Sequence, residues 1–111
     1  MKIRAKNGEQ MVDITLPATD MDIQYCMKCI GIEDIVPVCC ISEVRDEPSY
    51  FGFLKGQTVN MDELNFFARR LDGMTEYEKR VVGVYSSETG IREMKQLINL
   101  TYSLQGLSPV S

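Results

Sequence analysis

Residues 60–78 read NMDELNFFARRLDGMTEYE, and this stretch decides the fold. Leu64, Phe67, Ala68 and Leu71 recur at i, i+3, i+4 and i+7, the apolar stripe of an amphipathic helix. Asn60 suits the N-cap, because its side-chain oxygen can take up a free amide of the first turn. Asp62 and Glu63 put negative charge where the helix dipole is positive, and Arg69 and Arg70 put positive charge where it is negative. Gly73 is placed to end the helix in a left-handed conformation. Thr75 and Glu78 then match the S/T-x-x-E capping box that opens a second helix. The stretch predicts an αα-hairpin.

Toward the C-terminus, the second helix is expected from Glu76 to about Tyr85, with Tyr77, Val81, Val84 and Tyr85 on one face. Gly83 inside it costs about 1 kcal/mol relative to Ala. Ser86–Gly90 reads as a loop. Ile91, Met94, Leu97, Ile98 and Thr101 mark a last helix to about Leu104. Leu64, Phe67, Leu71, Val81, Leu97 and Ile98 are expected to be buried together.

Toward the N-terminus, Tyr50–Leu54 reads as a strand in which Gly52 marks a bulge or a close backbone approach. Arg45–Ser49 is a polar turn. Val36–Val44 is rich in β-branched residues and reads as a strand, with Pro37 at its edge. Thr19 or Asp20 caps a helix to about Ile30, with Ile23, Cys26, Met27 and Ile30 as its stripe and Gly31 at its C-terminus. Asn7-Gly8 signals a type I′ hairpin turn between a basic first segment and the alternating Met11–Leu16. The element order is β-β-α-β-β-α-α-α. The fold class is α+β: a small antiparallel sheet with one helix, followed by a three-helix cluster. Residues 1–111 form one unit, with a β-rich half over 1–58, a helical half over 59–105 and a tail over 106–111.

The 111 residues carry 44% hydrophobic and 25% charged side chains, ordinary for a globular domain. No apolar run approaches the ~20 residues that span a bilayer, and no apolar segment follows the basic N-terminus as a signal peptide would require. A cytoplasmic location is expected. The net charge is −4, unevenly spread. Lys2, Arg4 and Lys6 precede the first acid, and from Glu9 onward 16 acids face nine bases, a balance of −7. That balance argues against direct nucleic-acid binding and suits a basic partner. The simpler account is a solubilising surface.

Histidine is absent, which removes Ser-His-Asp and Cys-His nucleophile arrangements from this chain. Cys26 and Cys29 form C-x-x-C and Cys39-Cys40 follow, but adjacent strand cysteines point to opposite faces and fit one tetrahedral zinc poorly. Reduced cysteines packed as small hydrophobes are expected, with no metal and no cofactor. Asp46, Glu47, Asp62, Glu63, Asp72, Glu76 and Glu78 could be read as paired carboxylates for acid–base work. None sits in an apolar run that would raise its pKa, so no catalytic residues are expected. Met27 and Met94 fall on helix stripes and belong to the core.

ITLPAT at Ile14–Thr19, IGI at Ile30–Ile32, DELNFFARRLDGMTEYE at Asp62–Glu78 and MKQLINLTYSL at Met94–Leu104 occur in one order. This order resembles the ArdA-type antirestriction family of mobile elements, in its Firmicutes forms. That family shows a strand ending in LP, an E-L-N-x-L-A-x-x-L helix and a later L-I-N-L-x-Y helix. The pairing of Glu63-Leu64-Asn65 with Leu97-Ile98-Asn99-Leu100 carries the resemblance furthest. It implies a non-enzymatic, acidic mimic of duplex DNA that inhibits type I restriction–modification enzymes by occupying their basic DNA-binding surface. The partner-binding residues would then be Asp46, Glu47, Asp62, Glu63, Asp72, Glu76 and Glu78. Family members usually continue into a further acidic domain that carries dimerisation, so a homodimer stays open. The alternative is a protein-interaction module of a mobile genetic element without DNA mimicry.

Overall fold

The computed structural model describes residues 1–45, 50–91 and 93–104. The expected polar turn at Arg45–Ser49 and the tail lie largely or wholly outside them. Strand β1 (Lys2–Asn7) pairs antiparallel with β2 (Gln10–Thr15). Asn7 is opposite Gln10, so Gly8 and Glu9 form the two-residue loop, one step later than the sequence suggests. Gly8 has φ +63, and among the described residues no other residue type has a positive φ. That is the pattern of a type II′ turn rather than type I′. Strand β3 (Val38–Val44) pairs with the other edge of β1, and β4 (Thr58–Asn60) with the far edge of β3. The result is an antiparallel sheet in the order β2-β1-β3-β4.

Strand alternation gives this sheet one apolar face. Ile3, Ala5, Ile14, Cys39, Ile41 and Val59 are all buried. The register shift between Arg4 and Ala5 in the β1–β3 ladder keeps Ala5 opposite Ile41 while Arg4 stays opposite Glu43.

Helix α1 (Asp20–Cys29) is capped by Thr19, whose Oγ1 accepts the Asp22 amide at 3.2 Å. It ends in a Schellman motif. Gly31, at φ +78, donates to the Lys28 carbonyl at 3.0 Å, and Ile32 donates to the Met27 carbonyl at 2.8 Å. Helix α2 (Met61–Asp72) starts as expected, with Asn60 Oδ1 accepting the amides of Asp62 and Glu63. Helix α3 (Glu76–Thr89) carries both bonds of the Thr75–Glu78 capping box. Helix α4 is Met94–Leu104.

Four expectations are corrected. Tyr50–Leu54 is not a strand; Gly52–Leu54 is a 3-10 turn, and the fourth strand is Thr58–Asn60. Phe51 and Leu54 are both buried, a spacing of three that a strand cannot place on one face. Phe51 meets Phe67 edge-on with ring centroids 5.5 Å apart, so this segment lies over α2. Gly73 has φ −87, not a left-handed value. The chain leaves α2 through a tight turn, with the Met74 amide donating to the Leu71 carbonyl at 3.0 Å, and this carries Met74 into the core. Helix α3 runs through the expected Ser86–Gly90 loop and is stopped by Gly90 at φ +73. Its buried face is Glu78, Val82, Gly83 and Ser86, whereas Tyr77, Val84 and Tyr85 are exposed.

Gly83 explains that rotation. A Cβ built there would lie 2.5 Å from the Tyr50 carbonyl oxygen, so only glycine lets α3 rest flat on that backbone. Helix α4 packs against both α2 and α3, which touch each other little. The cluster is therefore a wedge with the last helix in the middle, not a closed αα-hairpin with a third helix beside it. Leu64, Phe67, Leu71 and Leu97 are buried as expected, while Val81 and Ile98 are half-buried. A single hydrophobic core joins sheet and helices, from Ile3 and Ile41 to Phe67 and Leu97, and Met27 and Met94 belong to it.

Candidate functional site

The expected acidic residues do not form one face. Asp62 is exposed and Glu63 half-buried at the start of α2. Asp72 and Glu76 are exposed around the turn into α3, about 15 Å away by helix rise. Among the described residues Asp62 and Asp72 form no ion pair, whereas Glu76 accepts from Lys79 Nζ at 3.3 Å. Glu78 is a correction. It is 5% exposed, and its Oε1 accepts the Thr75 amide at 2.8 Å. Its carboxylate serves the helix start and is not offered to a partner. Asp46 and Glu47 lie outside the described residues.

Asp62 instead joins Asp20, Glu33 and Asp34, none of them among the expected partner-binding residues. A groove of about 600 Å³ runs between α1, α2 and the segment Ile32–Pro37. Its rim carries Asp20, Glu33, Asp34 and Asp62 against Lys28 and Arg69. Apolar lining comes from Ile23, Met27, Ile32, Ile35, Pro37 and Phe66. Ile35 is 98% exposed and Phe66 42% exposed, so the groove offers apolar surface to solvent.

Two polar contacts build this region and tie together the motifs that carry the resemblance. Asn65, 2% exposed, accepts the Ala18 amide at 2.8 Å on Oδ1 and donates to the Ala18 carbonyl at 3.0 Å through Nδ2. Arg69 Nη2 adds a 3.3 Å bond to the same carbonyl. The ITLPAT segment, with its cis Leu16–Pro17 bond, is thereby held on α2 and positions α1 beside it. Arg70 reaches the other way. Its Nε donates to Thr101 Oγ1 at 3.3 Å and its guanidinium lies 3.8 Å from the centroid of the Tyr102 ring, which joins α2 to α4. Arg69 and Arg70 were expected only as dipole partners. An asparagine at position 65, beside the apolar stripe, was the available signal for a buried polar clamp. Asn99, the other asparagine of the motif pair, is exposed.

The polar face of the sheet neutralises itself. Arg4 stands opposite Asp13 on β2 and Glu43 on β3. Its Nε lies 2.8 Å from Asp13 Oδ1, and Arg45 Nη1 lies 3.4 Å from Asp13 Oδ2. The hydrogen bond from Arg4 holds the Asp13 carboxyl below the usual carboxylate range. The basic N-terminal segment is thus partly covered by acids from its neighbours.

All four cysteines are free thiols. Burial, with a smaller contribution from Cys40, pushes the Cys39 thiol up to about 11, while Cys29 is exposed. Among the described residues no group of three or more His, Cys, Asp or Glu side chains could hold a metal ion. Among them, too, no helix is long and apolar enough to cross a membrane. No family model, curated protein or solved structure matches this chain.

Proposed function

We propose that this chain is a non-enzymatic antirestriction-type protein, an acidic mimic of duplex DNA that occupies the basic DNA-binding surface of a type I restriction–modification enzyme. The observation that carries the reading is shape joined to charge. The domain measures 49 × 24 × 23 Å, a short rod whose width is comparable with a duplex, and Asp62, Asp72 and Glu76 are exposed on its surface. Carboxylates so placed can engage the Lys and Arg side chains that grip phosphates. A duplex of that length carries roughly 29 phosphate charges at one per ~1.7 Å, against 16 acids here, several already spent on Arg4, Arg45 and the α3 cap. The mimicry is therefore of a short phosphate run, not of a whole site. Four free thiols suit the reducing cytoplasm in which such enzymes act.

The test is plating of unmodified phage on cells carrying a type I system, with and without this protein. Plating should rise at least tenfold with the protein, and D62N/D72N/E76Q should lose most of that gain. Unchanged restriction refutes the proposal. The groove between α1 and α2 favours a second reading, a protein-interaction module without mimicry, because phosphate mimicry has no use for exposed Ile35 and Phe66. Pull-down with the full chain should then capture a partner that Ile35→Asp releases.

A further inference from the structure

The groove between α1 and α2 is lined by side chains of two kinds. Ile23, Met27, Ile32 and Pro37 are buried and form its floor, with Phe66 and Ile35 standing out at its edge. An isoleucine 98% exposed on a connecting segment is unusual, since large aliphatic side chains are among the most buried types. Four carboxylates, on Asp20, Glu33, Asp34 and Asp62, surround that apolar strip, and among the described residues none of them forms an ion pair. Of the two cations in the groove, Arg69 is engaged with the Ala18 carbonyl. The site thus has an apolar centre and an acidic border.

We infer that this groove docks a cationic amphipathic helix of a partner protein, its apolar stripe on Ile35 and Phe66 and its Lys or Arg side chains among Asp20, Glu33, Asp34 and Asp62. The inference rests on the interaction-module reading and names its partner's chemistry. Helices enter such grooves with anchors at i, i+3, i+4 and i+7, and flanking charges select their register and speed the encounter. The charge pattern rules out the chain's own helices as occupants. Helix α1 sets Asp20 and Asp22 against Lys28, α2 sets Asp62, Glu63 and Asp72 against Arg69 and Arg70, and α3 sets three glutamates against Lys79 and Arg80. Helix α4 carries Lys95 alone. None offers the cationic border that the groove complements.

The experiment uses the full chain and an 18-residue synthetic helix of Leu and Lys with one apolar face, read by fluorescence anisotropy against salt. The same peptide with Glu in place of Lys is the control. The cationic helix should bind and the anionic one should not. Ile35→Asp, at a site with no packing to lose, should weaken binding at least tenfold. Glu33→Gln/Asp34→Asn should weaken it several-fold and flatten the salt slope, whereas Glu88→Gln/Glu93→Gln, an equal charge change outside the groove, should leave it intact. Equal loss in both double variants would mean unspecific attraction to an acidic protein and overturns the inference. So does a self-associating chain whose dimer is broken by Ile35→Asp. A partner captured from cells that Ile35→Asp releases, while the cationic helix fails to bind, overturns the partner chemistry and leaves the interaction reading standing.

Discussion

Asn65 does for the tertiary structure what a cap does for a helix. It satisfies the backbone amide and carbonyl of Ala18 together, at the point where the sheet gives way to α1. Asn65→Ala should orphan the Ala18 amide, at about 1–3 kcal/mol when left without a partner, and leave the carbonyl to Arg69 alone. Chemical denaturation should show that loss, and Asn65→Asp should recover only the bond to the amide. Cys39 gives a pH test. Its folded pKa, pushed to about 11 by burial, lies above the ordinary 9.0. The thiolate is then favoured by unfolding, so the contribution is intact below pH 9 and disappears as pH rises through 11. Stability should decline across that window, and Cys39→Ser should remove this part of the decline. Iodoacetamide at neutral pH should label Cys29, which is exposed, well before Cys39.

Among the helices, α3 is the one whose buried face was misread. The Thr75–Glu78 cap at its start was legible because both partners are local in sequence. Its buried face was not legible, because an apolar count selected Val81, Val84 and Tyr85. The structure instead buries Glu78, Val82, Gly83 and Ser86, a face chosen by the Tyr50 backbone thirty-odd residues earlier. Gly83→Ala should raise intrinsic helix propensity by about 1 kcal/mol. The new Cβ would lie 2.5 Å from Tyr50 O and 2.7 Å from Tyr50 Cβ. Overpacking of that kind costs typically ~1–3 kcal/mol, so the net outcome should be a lower melting temperature, measured by circular dichroism. A rise would mean that Tyr50 moves aside. The Tyr50–Leu54 error has the same origin. Aromatic residues in a row favour strands, yet Phe51 is fixed by a ring 5.5 Å away on α2. Long-range contacts of this sort leave no local mark.

For the molecule as a whole, the α+β class and the order of its elements were legible, because caps, glycines and period each punctuate the chain. The candidate site was legible only in part. Asp62 belongs to a groove, Glu78 is inside the fold, and the acids that join Asp62 come from α1 and the segment after it. Charge likewise looked segregated along the chain, yet Arg4 rests between Asp13 and Glu43. Helix α4 stands between α2 and α3 and supplies the packing that they scarcely give each other. A nascent chain emerges from its N-terminus at ~5–20 residues per second. The sheet and α1 can form while the rest is still being made. The faces that α2 and α3 turn toward α4 must wait, uncovered, until residues 94–104 have left the ribosome tunnel. For that interval the partly made helical layer exposes apolar surface of the kind that chaperones shield.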